Sequence, residues 1–140
     1  MSLVFPDVNV WLALASEEHV HHAEAFPWWR QEVGPIAFCR FTQIGLLRLL
    51  TTAAVMNGKP LAMKRAWTIY DRLMGDERVE LIPEPPAMER VFRELTSSGK
   101  LASPKMWADA YLVAIAVESG GRVSTFDKAM ARRGPVLVLS

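Results

Sequence analysis

Asp7, Asp109 and Asp127 are the residues of this chain whose placement most needs a chemical explanation. Of its fifteen acids, ten are Glu and five are Asp, and Asp71 and Asp76 sit in polar, turn-like company. The other three aspartates border or interrupt apolar stretches. Asp7 closes the run Leu3-Val4-Phe5-Pro6, Asp127 closes Val123-Ser124-Thr125-Phe126, and Asp109 is the only charge between Lys105 and Glu118. A carboxylate removed from water is costly unless it is protonated, paired or coordinated. Three held together repel one another and rise in pKa unless a cation lies among them. Hard oxygen donors of this kind suit Mg²⁺ or Mn²⁺, which keep several waters and accept phosphate oxygens. Each residue also has a plainer reading. Asp7 could be an N-cap for a helix beginning at Val8, Asp127 an ordinary turn acid, and Asp109 the partner of a buried Arg40 or Arg48.

The elements that must position these acids can be read from the pattern of apolar runs. Leu3-Val4-Phe5 is a short buried strand, followed by a dense helical run from Val8 to Ala15. A second helix is expected over residues 19–32, with Pro27 a candidate kink. Gly34-Pro35 punctuates before a strand at Ile36-Ala37-Phe38, and an amphipathic helix is expected over 41–50. After the break at Met56-Asn57-Gly58-Lys59-Pro60, a helix is expected over 61–74 and a strand over 79–82. Pro86 fits the first turn of a helix reaching Leu95. Ser103-Pro104 reads as a cap and first-turn proline opening a mostly buried helix that stops before Gly120-Gly121. Residues 122–126 and 136–139 supply the last two strands. Short apolar strands alternating with helices imply βαβ units, so the fold class is α/β. We expect one domain over residues 1–140, with a parallel sheet of about five strands covered by helices on both faces. At the carboxyl rim of such a sheet, where ligands bind, Asp7 and Asp127 meet.

Composition narrows the function classes. With 140 residues, 51% hydrophobic and 22% charged, the chain can bury a core and is not intrinsically disordered. The balance of 16 Lys+Arg against 15 Asp+Glu names no partner by itself. The single cysteine, Cys39, excludes an intramolecular disulfide framework and fits a reducing compartment. With no basic leader and no long uncharged apolar run, a cytoplasmic location and no membrane association are expected.

Four segments carry a family resemblance. Pro6-Asp7-Val8-Asn9-Val10-Trp11-Leu12 resembles the opening motif of PIN domains, and Phe41-Thr42-Gln43-Ile44-Gly45-Leu46-Leu47-Arg48-Leu49 their third segment. Trp107-Ala108-Asp109-Ala110-Tyr111-Leu112-Val113-Ala114 is similar to their Asp-Ala-x-Leu-x-Ala helix, and Ser124-Thr125-Phe126-Asp127 to their Thr-Phe-Asp strand end. The segments occur in the family order and span nearly the whole chain. The nearest subfamily is that of VapC-like toxins of toxin–antitoxin pairs. The resemblance implies a Mg²⁺-dependent (or Mn²⁺-dependent) endoribonuclease, with Asp7, Asp109 and Asp127 as metal ligands and Asn9 and Thr125 holding the carboxylates in place. It also implies an RNA substrate, a homodimer and a cognate antitoxin. Gln43 stands where the third segment usually supplies a Glu. Its carbonyl oxygen could coordinate or orient water but brings no charge, which keeps open a PIN-like module that binds RNA or protein with weak or no nuclease activity. A phosphohydrolase of the Asp-x-Asp type is disfavoured by Asn9, and a receiver domain by the lack of adjacent acids near residue 10.

Three further features complete the reading. Residues 100–140 hold six basic groups against three acids, and residues 76–94 hold three Arg against six acids. A basic final third beside a metal site suits an RNA backbone. His19, His21 and His22 lack a zinc-finger spacing and are expected at the surface or the edge of the site. Of the five Trp, Trp28 and Trp29 are not both expected to face inward.

Overall fold

The computed structural model describes residues 3–99 and 101–140. Lys100, one of the six basic groups of the final third, lies outside them. In chain order the elements are β1 (Val4–Pro6), α1 (Val8–Ala15), α2 (His22–Gln31), β2 (Ile36–Phe38), α3 (Arg40–Leu50), α4 (Met63–Met74), β3 (Val79–Leu81), α5 (Met88–Thr96), α6 (Met106–Glu118), β4 (Arg122–Thr125) and β5 (Val136–Val138), with a 3-10 turn Lys128–Arg132 after β4. All five strands pair in parallel in the order β3-β2-β1-β4-β5.

Side-chain alternation along the strands divides the core in two. Val4, Ile36 and Phe38 point to one face, where they meet Trp11, Leu12, Leu46, Leu50, Ala66 and Tyr70 from α1, α3 and α4. Phe5, Ala37 and Val123 point to the other, against Met88 of α5 and the unbroken run Leu112–Ala116 of α6. The central strands β1 and β2 are buried along their whole length and read as continuous apolar runs, which is why three residues suffice to mark each one. Trp11 stacks on Phe38 at 3.7 Å between ring centroids and 8° between planes, pinning α1 to the sheet.

Several boundaries differ from the sequence expectation. The second helix starts at His22 rather than 19 and runs through Pro27 unbroken, leaving His19 and His21 in the preceding turn. The fourth helix starts at Met63, two residues late, because Pro60 and Leu61 complete the break. Ser103 and Pro104 form a turn, with the Met106 N–H donating to the Ser103 carbonyl, and α6 begins only at Met106 without a side-chain cap. Pro86 likewise precedes α5. Trp28 and Trp29 are both half-buried, and both pack against the same core. The chain reverses direction across the sheet at β1: the link to β2 goes one way, while β4 returns to the other side. The crevice at such a switch point is where open α/β sheets bind ligands.

Candidate active site

Asp7 and Thr125 are brought together by strand register. Pro6 pairs with Ser124, and the Asp7 N–H continues the ladder by donating to the Ser124 carbonyl at 2.8 Å. Asp7, the first residue past β1, and Asp127, the second past β4, therefore land on the rim. Asp7 then serves two purposes. Its Oδ1 accepts from the Val8 N–H at 2.8 Å, capping α1, and its Oδ2 accepts from Thr125 Oγ1 at 3.0 Å. Thr125 Oγ1 in turn accepts from the Asp127 N–H at 3.0 Å, so one hydroxyl ties both strand-end acids together. Asp127 also caps the 3-10 turn, with Oδ1 accepting from the Ala129 N–H at 2.9 Å, and its Oδ2 meets Lys105 Nζ at 3.1 Å.

Asp109 reaches the same cleft from α6. That helix is not buried along its whole length: Trp107 and Ala108 are exposed, Asp109 is half-buried, and full burial begins at Ala110. It pairs with neither Arg40 nor Arg48; the basic groups that bear on it are Lys105 and Arg133. Asp7, Asn9, His19, Val20, His21, Lys105, Ala108, Asp109, Thr125, Phe126 and Asp127 line one open cleft of about 580 Å³. Asn9 is exposed and, among the described residues, makes no hydrogen bond to the carboxylates. Gln43 stands apart. It is buried in α3, where its Oε1 accepts from Arg40 Nη1 at 2.6 Å, and it lies against Tyr70 rather than in the cleft.

The electrostatics follow from these contacts. Burial pushes the Asp7 carboxyl above its ordinary value, against the lowering effect of the Val8 and Thr125 hydrogen bonds, and the charges of Asp109 and Asp127 push the same way as burial. Burial also raises Asp109. The Lys105 ammonium and the Ala129 N–H hold Asp127 below the ordinary carboxylate range. The three acids are therefore unequal: the innermost resists ionisation and the outermost is fully charged. As placed, no three His, Cys, Asp or Glu side chains among the described residues converge closely enough to enclose an ion. The donor set nonetheless fits a divalent cation. It consists of carboxylate oxygens facing an open cleft, and a cation would offset both the burial that raises Asp7 and the smaller push of Asp109 and Asp127.

The site also contains Lys105, which the sequence did not single out for it, although its signal was present as the last cation before α6. His19 and His21, expected at the surface or the edge of the site, also line the cleft. His21 stacks on Phe126 at 4.2 Å between centroids and 18° between planes, and its backbone N–H donates to His19 Nδ1 at 3.0 Å.

A family comparison agrees with the fold and with the order of these motifs, since residues 4–134 match the PIN domain. The chain belongs to the PIN domain family. Among its PIN relatives, Ribonuclease VapC41 of Mycobacterium tuberculosis is 39% identical over 136 residues, covering 93% of this chain and 92% of that protein. Ribonuclease VapC44 of the same organism is 31% identical over 126 residues, covering 89% of this chain and 86% of that protein. The crystal structure of Mycobacterium tuberculosis VapC20, described as a Sarcin-Ricin loop cleaving toxin, superposes with a TM-score of 0.73 at 16% identity, covering 98% and 99% of the two chains. The VapBC2 structure of Rickettsia felis, bound to a DNA fragment from its promoter, superposes at 0.72 with 12% identity, covering 99% of each chain. At these identities the two structures speak for the fold alone. The PIN domain is thus built here with the VapC arrangement of elements. Among the described residues, no helix is long and apolar enough to cross a membrane.

Proposed function

We propose that this chain is a divalent-metal-dependent endoribonuclease, the toxin of a toxin–antitoxin pair, hydrolysing RNA phosphodiester bonds. One observation carries the reading: the three aspartates line a single cleft, two of them tied by Thr125, in a PIN domain whose curated relatives are named ribonucleases. Asp7, Asp109 and Asp127 would hold Mg²⁺ or Mn²⁺. Bound there, the ion would activate water and neutralise charge on the phosphate. Asp7, held by the α1 N-terminus and Thr125, keeps a fixed orientation and so sets the position of the site. Asp127 is held equally firmly by Thr125 and the 3-10 turn. Asn9, exposed beside Asp7, is available to contact the ribose-phosphate backbone. Gln43 is placed to order α3 through Arg40, which supports a supporting role rather than contact with substrate. An antitoxin is the partner that related structures such as VapBC2 suggest; a second copy of the chain is proposed from the family resemblance alone.

The test is incubation of the purified, antitoxin-free chain with RNA in Mg²⁺ or Mn²⁺ beside Asp7→Asn. Asn keeps the helix cap, so the variant should fold. Cleavage by the unmutated chain should fall by at least about a hundredfold in the variant, the scale on which losing a principal charge-stabilising group acts. Equal cleavage by both would sink the metal site. No cleavage by either would leave a binding module, the alternative that the uncharged Gln43 keeps open.

A further inference from the structure

One wall of the cleft is aromatic, and nothing in the metal chemistry uses it. The turn before α2 folds back so that His21 lies flat on Phe126 at 4.2 Å and 18°, while His19 lies 5.8 Å from His21 at a tilt of 39°. The turn is fixed rather than loose. His19 Nδ1 accepts from the His21 N–H, the His22 N–H donates to the His19 carbonyl, and the His22 ring bonds the Ala13 carbonyl at 2.7 Å. One face of the His21 ring is covered by Phe126, yet 43% of the side chain remains in solvent. At its edge, Nδ1 lies 3.5 Å from Glu24 Oε2. Phe126 immediately precedes Asp127, so the stack stands one residue from a carboxylate of the trio. Lys105 lines the same cleft.

From this juxtaposition we infer that His21, backed by Phe126, is a stacking platform for one unpaired nucleobase of the RNA whose backbone crosses the three aspartates. The inference rests on the nuclease reading for the identity of the ligand. A flat ring rigidly backed by a second ring loses little freedom when a base stacks on it, and every base offers a π-face. The platform therefore favours single-stranded over duplex RNA, because a paired base is unavailable to it. In a chain that cuts RNA, it would fix the nucleotide beside the scissile phosphate.

Full-length chains carrying Asp7→Asn, to prevent cleavage, are titrated with fluorescein-labelled octaadenylate and with an abasic ribose-phosphate octamer. Adding His21→Ala should weaken octaadenylate binding about tenfold, whereas His21→Phe should stay within about twofold of the parent. All three should bind the abasic octamer alike, which also reports that the fold is intact. The platform is overturned if His21→Ala binds octaadenylate as the parent does, if it loses both probes in parallel, or if His21→Phe fails as badly as His21→Ala. Cleavage by the chain with Asp7 intact is scored separately. Cleavage without a base-dependent loss removes the platform and leaves the nuclease. A base-dependent loss without cleavage does the reverse.

Discussion

Thr125 and Lys105 decide how the acidic rim behaves before any ion arrives. The Thr125 hydroxyl donates to Asp7 and accepts from the Asp127 backbone, so Thr125→Val strips a donor from one and orphans the N–H of the other. We expect it to cost roughly 1–3 kcal/mol in chemical denaturation, with Thr125→Ser close to the parent. Lys105→Met should let the Asp127 carboxyl rise toward its ordinary value, because the ammonium is the first cause of its depression; carboxyl titration by NMR reads this directly. Asp7 responds to pH in the opposite sense. Its folded value lies above the ordinary 3.8, so its contribution to stability is complete below that value and is lost as pH rises through the folded value. Asp7→Asn should accordingly stabilise the metal-free chain at neutral pH, and the gain should vanish below about pH 3.8. Added Mn²⁺ should raise the melting temperature of the unmutated chain and leave Asp7→Asn unmoved. Much of this was legible from residue type and context, since an Asp just past an apolar strand has few places to go except the rim. The opposed shifts of Asp7 and Asp127 were not, because they depend on which long side chain folds back onto which acid.

At the scale of elements, the joints that hold the cleft open to solvent and closed to slippage are specific. Arg78, just before β3, donates to both oxygens of Asp76 and to the carbonyls of Trp29 and Glu32 at the end of α2, with its guanidinium 4.5 Å from the Trp29 ring centroid. Arg78→Ala should destabilise by roughly 2–4 kcal/mol, because two half-buried carbonyls and a carboxylate lose their donor together. Arg78 holds Asp76 below its ordinary 3.8. That contribution is present above 3.8 and fades as pH falls through the lower folded value, so the penalty of the variant should shrink in acid. Gly45 marks a second joint, where α3 crosses α1: a Cβ there would stand 2.7 Å from Val8 Cγ2. Gly45→Ala should lower the melting temperature, and Val8→Ala in the same chain should recover part of the loss, since the obstacle is a removable methyl. All five strands were visible, although β3 and β4 carry Glu80 and Arg122 within them, and helix starts were missed by two or three residues wherever a proline or histidine turn replaced a side-chain cap. The start of α2 mattered most. Reading it at 19 hid the turn that carries His19 and His21 to the cleft, because periodicity cannot tell a helical first turn from a folded-back one.

Across the whole molecule, charge is sorted by pairing rather than by stretch. Half of the acidic stretch is neutralised by its own arginines, with Asp76 on Arg78, Glu94 on Arg90 and Glu89 on Arg93. In the basic final third, Lys105 pairs with Asp127 and Arg122 with Glu32. Among the described residues, Lys128, Arg132 and Arg133 form no ion pair, and all three sit in or beside the 3-10 turn that Asp127 caps. The sequence counted these charges correctly but could not show which were spent internally, since Arg122 meets Glu32 only through the sheet's strand order. These cations follow Asp127 closely in the chain, where the proposed nuclease reading would have them meet the RNA backbone. RNA binding by the Asp7→Asn chain should weaken steeply with salt. Lys128→Ala and Arg132→Ala should each weaken it further and reduce the slope of log affinity against log salt by about 0.7, the share of one phosphate contact on a single strand. Arg93→Ala, on the self-paired helix α5, should leave the slope unchanged. If Arg93→Ala lowers it as much as Lys128→Ala does, the RNA crosses a different face, and the cleft is not where the backbone is held.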